Sequence, residues 1–517
     1  MQKLVAHALL RDAAYQHAST PVISGQTMLT YAGIYERAVR LASSLHRLGI
    51  RPGTVVGVID VNTYRYFELH FALSMLGAVI HTVNFRLPLD TLIWTLQHAK
   101  DEWLFIGEGF GDLSATLAPV VGHVVRMGGA QAVSPDRDYE ELITDGTDQE
   151  PDITASIDPS DPFSLFYTTG TTGRPKGIRY THQQMLAGAL QIAHHLGLYD
   201  TGAHLSAHDV MMPLIPFFHI HGWGAPFIAP YIGAALVLPE RSDPAAQRAL
   251  IHRHRVTWSN MVPTQLVMLL DGVADPLPLK VLTGGSPLAS GLAHRADSRG
   301  VRFSLIYGGS DQLGSAISTA PGLSGEARVN ELASRVTPFP MVRMEIRDAA
   351  GQPVPADGAS LGEAWIESPW LPADYVDNAE ASNRAYVDGW FRSGDLAVRY
   401  LDGRIAVMDR LNDAIKSGGE WIAGSTIESV ISEIPGVHGV AVIGIADARW
   451  GERPKAIIAA DRDVSTSLVQ QALNEAVQQG RLAKFWLPDT LQFVETLPMT
   501  SAGKINKAKL REIHNKQ

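Results

Sequence analysis

Apolar residues recur at helical spacing through "TYAGIYERAVRLASSLHRLGI" (30–50). Thr30 is placed to cap that helix and Gly49 to end it. "TVVGVID" (54–60) follows as a short apolar run, which predicts a buried strand. "RYFELHFALSMLGA" (65–78) returns to the helical period, and "VIHTVN" (79–84) predicts a second strand. Helix and strand in alternation argue for an α/β fold with a parallel sheet. Further strands are predicted at 210–217, 235–240, 256–261 and 280–285. Each ends in Pro, Gly or polar residues, the end of an α/β sheet at which ligands bind.

The texture changes at two points. Residues 144–162, "TDGTDQEPDITASIDPSDP", are polar and rich in Asp, Pro and Ser, and predict a connecting segment. After about residue 410 comes a strand ("GVHGVAVIGIAD"), a helix ("SLVQQALNEAVQQG") and another strand ("TLQFVETLP"). That order predicts a small α+β domain.

Composition narrows the classes. The chain has 517 residues, 45% of them hydrophobic, and a net charge of −10. Scattered basic residues and an acidic balance exclude a nucleic-acid footprint. With no cysteine, disulfides, a thiol nucleophile and zinc–thiolate sites are excluded. The N-terminal "MQKLVAHALLRDAAYQ" has Arg11 and Asp12 among its apolar positions and predicts an amphipathic helix rather than a signal segment. No apolar run reaches a membrane span, so an integral membrane protein is not expected and a cytoplasmic location is.

The candidate chemistry begins at "YTTGTTGRPKG" (167–177), which follows the apolar "PFSLF". Glycines let a backbone approach a phosphate, amides converge on it, hydroxyls add donors and a lysine adds charge. A surface turn would have the same composition. Lys176 is followed by Gly177, so the loop is not of the GxxxxGK[ST] type.

Other segments decide between these readings. "IPFFHIHGW" (215–223), "GGSPL" (284–288), "YGGSD" (307–311), "GWFRSGDLA" (389–397), "DRLNDAIKSGGEWI" (409–422) and "PMTSAGKINK" (498–507) follow in order. Together with the loop they resemble the motif series of the adenylate-forming superfamily, which includes acyl-CoA synthetases, luciferase and peptide-synthetase adenylation domains. The resemblance runs from about residue 25 to 512. It implies a large N-terminal domain of α/β subdomains (1–409) that binds ATP and acid. A hinge (410–412) and a small mobile α+β C-terminal domain (413–517) with a catalytic lysine would follow. It also implies two steps: a carboxylate attacks the α-phosphate of ATP, then a thiol, normally that of coenzyme A, displaces AMP.

By position, the resemblance implies that Thr168, Thr169, Thr171, Thr172 and Lys176 hold the outer phosphates. Tyr307 and Gly308 would lie against adenine, with Gly285 and Ser286 opposite. Asp395 would take the ribose hydroxyls, helped by Arg410. Ser310 and Asp311 stand where the family has Thr-Glu. The shorter Asp311 carboxylate would still serve magnesium, directly or through one water. Lys504 would neutralise charge as the adenylate forms. On its surroundings alone a lone histidine beside Phe217 and Phe218 reads as a core residue, but the motif implies that His219 gates the path from acid to thiol. Gly418 and Gly419 would line the coenzyme A tunnel with His219, and Asn412 replaces the usual hinge Asp or Lys.

Phe218, His219, Trp223, Gly284, Gly308 and Gly309 are the expected acyl pocket. No acid stands near Phe217 to pair with an amino group, which argues against an amino-acid substrate. Gly308 fills the position where acetate-activating members carry Trp, so an acyl group longer than propionyl is expected. A medium- or long-chain fatty acid fits, and so does a bulky cyclic, terpenoid or aryl carboxylate. A carrier-protein thiol in place of coenzyme A, or a degenerate nucleotide-binding protein, are the alternatives. Members of the family often form homodimers, but no interface signal stands in this sequence.

Overall fold

The computed structural model describes residues 3–129, 137–168, 174–240, 243–271, 275–418, 420–499 and 505–514. Four sheets organise them. The first has seven strands. Its centre, Trp103–Gly107, Val55–Ile59, Val79–Thr82 and Pro162–Tyr167, is parallel. Val55–Ile59, Val79–Thr82 and Trp103–Gly107 are buried at every position. Parallel strands covered on both faces read as apolar runs for this reason. The strand Gly177–Thr181 pairs antiparallel with Pro162–Tyr167, so the two flanks of the Gly/Thr loop lie side by side in one sheet.

The second sheet has nine strands, with Val210–Pro213, Trp258–Met261, Lys280–Gly284 and Arg302–Gly309 running parallel at its centre. Val210–Pro213, Ala235–Leu238 and Lys280–Gly284 start where the sequence predicts and stop short of the predicted ends at 217, 240 and 285, whereas Trp258–Met261 starts two residues after the predicted 256 and ends at 261 as predicted. The remaining residues leave the sheet as loops toward a cavity. The helix His182–Leu198 lies against this sheet, fixed at its start by a reciprocal cap: Thr181 accepts from the Gln184 amide, and the Gln184 side chain accepts from Thr181. Thr30 and Thr63 cap the helices Tyr31–Arg47 and Tyr64–Met75 in the simpler one-way form. One apolar core, including Phe67, Phe71, Phe163, Phe217 and Phe227, spans the space between the first two sheets.

The third sheet, with five strands between Arg343 and Arg410, is antiparallel. Sequence patterning does not reveal it. The chain then leaves it: Ile405–Arg410 is its last strand, and Ile415–Ser417 already belongs to the fourth sheet. That sheet, with the helices Gly424–Ser432 and Thr466–Gln478, has its own core around Ile427, Val442 and Ile458. Among the described residues no helix is long and apolar enough to cross a membrane.

Candidate active site

A cavity of about 1830 Å³ opens where the second and third sheets face the C-terminal unit. Thr168, Lys176, His219, Trp223, Gly285, Ser286 and Tyr307 line it, with Gly308, Gly309, Ser310, Asp311, Asp395, Arg410 and Asn412. Residues distant in sequence thus meet in one chamber. Thr169, Thr171, Thr172, Gly419 and Lys504 lie outside the described residues.

The loop's two ends are pinned. The Thr168 amide donates to the Lys176 carbonyl at 2.9 Å, and the Lys176 amide donates to Thr168 Oγ1 at 3.1 Å. Lys176 Nζ stands 4.4 Å from the centre of the Tyr375 ring, a cation–π contact that keeps the charge in place. The Tyr375 hydroxyl donates to Asp311 Oδ1 at 2.7 Å. Tyr180 donates to the Ser310 carbonyl and Tyr386 to the Asp311 carbonyl, at 2.8 and 3.0 Å. Three tyrosines therefore fix the Ser310–Asp311 pair. Burial raises the Asp311 carboxyl above its ordinary value, against the Tyr375 hydrogen bond and the Lys176 and Arg410 charges. A cation beside it would restore the carboxylate.

Asp395 and Arg410 face each other across paired strands. Arg410 Nε lies 2.8 Å from Asp395 Oδ1, and the Tyr307 hydroxyl donates to Asp395 Oδ2 at 2.7 Å. Burial and the Asp395 charge hold the Tyr307 phenol well above its usual range, so it stays a donor. Among the described residues no group of three His, Cys, Asp or Glu could enclose a metal. One carboxylate beside a Gly/Thr-rich loop is a donor set that suits magnesium, which keeps waters and phosphate oxygens as its other ligands.

The other end of the chamber is apolar, lined by Met185, Gly188, Ile192, Trp223 and Leu313. His219 and Trp223 enter it from the two ends of an unusual turn. Residues 220–224 all have positive φ, from 47° to 79°. Three of them, Ile220, His221 and Trp223, carry side chains, and each left-handed L-residue costs about 1–2 kcal/mol.

Three expectations are corrected. Phe218 does not line the cavity: its ring packs 4.9 Å from that of Phe85, and its carbonyl accepts from Thr82. Gly284 is also outside the lining, and a Cβ there would meet the Ile306 carbonyl at 2.4 Å. Its glycine serves strand pairing. Gly308 does line the cavity, but a Cβ there would meet the Leu313 carbonyl at 2.1 Å, whereas at Gly309 it meets nothing within 4 Å. Only Gly309 leaves side-chain room. Gly418, expected at the coenzyme A tunnel only after the C-terminal unit rotates, is not among the lining of this cavity, and its amide donates to the Trp450 carbonyl at 2.8 Å.

Sequence reasoning missed Tyr375 and Tyr386, which carry no local motif. It also missed Lys507, although the residue ends a quoted segment. Lys507 is half-buried, with Nζ 2.8 Å from Glu428 and 3.6 Å from Asp409.

The chain matches the model of the AMP-binding enzyme family over residues 10–376 and that of its C-terminal domain over 426–504. It is 35% identical to a long-chain-fatty-acid–CoA ligase of Thermus thermophilus, covering 93% of this chain and 90% of the relative. A medium-chain-fatty-acid–CoA ligase of Ectopseudomonas oleovorans is 32% identical, covering 99% and 96%. The fold is similar to that of an anthranilate CoA ligase solved with anthranoyl-AMP, with a TM-score of 0.87, 24% identity, and 98% and 97% of the two chains covered.

Proposed function

This chain belongs to the AMP-binding enzyme family, and from that premise we propose that it activates an apolar, medium- or long-chain carboxylic acid. It is an AMP-forming acid–CoA ligase that uses ATP and coenzyme A. The observation that carries the choice of acid is the chamber itself. One end gathers Lys176, Asp311, Asp395 and Arg410, and the other is apolar and open at Gly309.

The first step joins a carboxylate oxygen to the α-phosphorus and breaks its bond to pyrophosphate. Tyr307, Asp395 and Arg410 hold the nucleoside. Thr168 and Lys176 take the outer phosphates, and Lys504 meets the charge that builds on the reacting oxygens. Magnesium, held by Asp311, would screen the phosphate charge when bound. In the second step the thiol sulfur attacks the acyl carbonyl and AMP leaves with the bonding pair. His219 stands at the junction of the polar and apolar ends, where it orients the carboxylate. Rotation at residues 410–412 brings Gly418 and Gly419 toward His219 for this step. Catalysis here is positioning and electrostatics, with no covalent enzyme intermediate.

Pyrophosphate release with ATP and magnesium over acetate, hexanoate, decanoate, palmitate and benzoate, each with and without coenzyme A, tests this. Release that requires hexanoate, decanoate or palmitate, with AMP and acyl-CoA appearing when coenzyme A is added, is expected. Release with benzoate or acetate alone would overturn the choice of acid. Acyl transfer to a loaded carrier protein but not to coenzyme A would change the acceptor.

A further inference from the structure

His221 stands two residues beyond His219, and no step described above uses it. Its side chain is fully buried, in the middle of the left-handed turn at 220–224. Its Nδ1 lies 2.9 Å from Nε2 of His70, and its Nε2 lies 2.5 Å from Oγ of Ser164. His70 Nδ1 in turn lies 2.7 Å from the Tyr66 carbonyl. Burial lowers His70 to about 4 and His221 well below its usual value, so both rings are neutral.

Neutrality fixes the direction of the chain. A carbonyl only accepts, so His70 Nδ1 carries its proton and His70 Nε2 accepts. His221 Nδ1 therefore donates, which leaves His221 Nε2 to accept from the Ser164 hydroxyl. Ser164, His221, His70 and the Tyr66 carbonyl thus form one ordered relay, with both nitrogens of both buried rings committed. Asn260 Nδ2 adds a hydrogen bond to the Gly222 carbonyl at 2.8 Å. Phe163, Phe166 and Phe227 surround the His221 ring.

The turn is costly backbone, and such backbone persists only where its surroundings hold it. The strand Pro162–Tyr167, which carries Ser164, runs directly into the phosphate loop. His219 and Trp223 flank the turn and line the cavity. We propose that His221 is a positioning residue for the acid: through Ser164 and His70 it holds the turn at 220–224, and so sets where His219 and Trp223 stand. The proposal rests on the reading that the acid lies beside these two residues.

The test compares H221A, H221N and S164A with the unchanged enzyme, using decanoate as probe. Asparagine tolerates left-handed backbone and keeps an N–H to offer His70. KM for decanoate, KM for ATP and kcat are read from pyrophosphate release. A crystal structure of H221A reads the turn itself. Expected for H221A is a loss in kcat/KM for decanoate on the order of 10- to 100-fold, with KM for ATP unchanged. H221N should recover most of that loss, and the turn should leave the left-handed region in H221A with Trp223 displaced. Folded H221A with the parent's decanoate kinetics, equal losses for ATP and decanoate, or an unchanged turn would overturn the proposal. If H221A does not fold, H221N and S164A decide: S164A should raise KM for decanoate and not for ATP, and no such split would overturn the role. A parent enzyme inactive with every acid would instead overturn the choice of substrate, and the structure of the turn would then decide this inference alone.

Discussion

Asp395 accepts from Tyr307 on one oxygen and pairs with Arg410 on the other. D395N keeps an acceptor for Tyr307 and loses the charge. Hydrogen bonds to charged groups are worth about 1.5–3 kcal/mol, so KM for ATP should rise about 10- to 100-fold. Steady-state kinetics with saturating acid checks this, and an unchanged KM would remove Asp395 from the nucleotide site. His70 gives a stability prediction. Its folded-state value of about 4 lies below the ordinary 6.5. As the pH falls through that interval the unfolded chain takes up the proton first, so stability is lost, by about 2 kcal/mol between pH 7 and pH 5. Denaturant midpoints of the parent should therefore fall more over this range than those of H70Q. Parallel curves would show that His70 does not titrate this way. At this scale the sequence displayed Asp395 and Arg410 inside a motif. It could not display what a missing side chain faces: Gly308 and Gly309 look alike as letters, yet one abuts a carbonyl and the other opens on the chamber.

The helix Leu89–Ala99 holds both flanks of the Gly/Thr-rich loop at 167–177 from outside the chamber. The Arg174 guanidinium lies 5.2 Å from the centre of the Trp94 ring, and His98 Nδ1 lies 2.8 Å from the Tyr167 hydroxyl. Residues 94 and 98 are one turn apart, on the same helix face. A cation–π contact is worth about 0.5–2 kcal/mol, so W94A should raise KM for ATP severalfold and leave KM for the acid alone. Equal changes in both would mean that Trp94 serves packing only. The strands of the first two sheets were legible because burial on both faces leaves an unbroken apolar run. The third sheet was not. Its long strand Trp390–Arg399 mixes exposed arginines with buried Ser393 and Asp395, because the polar residues that line the chamber interrupt the period. The site's chemistry thus hid the element that carries it. Tyr375 was hidden differently, since only the third dimension places its hydroxyl on Asp311.

The two units of the molecule meet through an ion pair as well as through the chain: Lys507, paired with Glu428 inside the C-terminal unit, also reaches Asp409 on the last strand of the third sheet at 3.6 Å, and Arg511 holds Asp413, just past that strand, at 2.6 Å. D409N should loosen this docked arrangement. Adenylation should slow severalfold while thioester formation from supplied acyl-adenylate changes less, and separate measurement of the two half-reactions checks it. Equal effects on both would argue against a docked state specific to the first step. Residues 411–414 are all that joins the third sheet to the fourth. Five extended steps from Arg410 to Ile415 reach at most about 18 Å. The C-terminal unit is therefore a tethered reagent, present at its partner at an effective concentration in the millimolar range however dilute the enzyme. Cutting the tether converts that encounter into an ordinary second-order one. A molecule nicked between residues 411 and 414 should keep its specific activity when concentrated and lose it on dilution, whereas the intact chain should not notice the dilution at all.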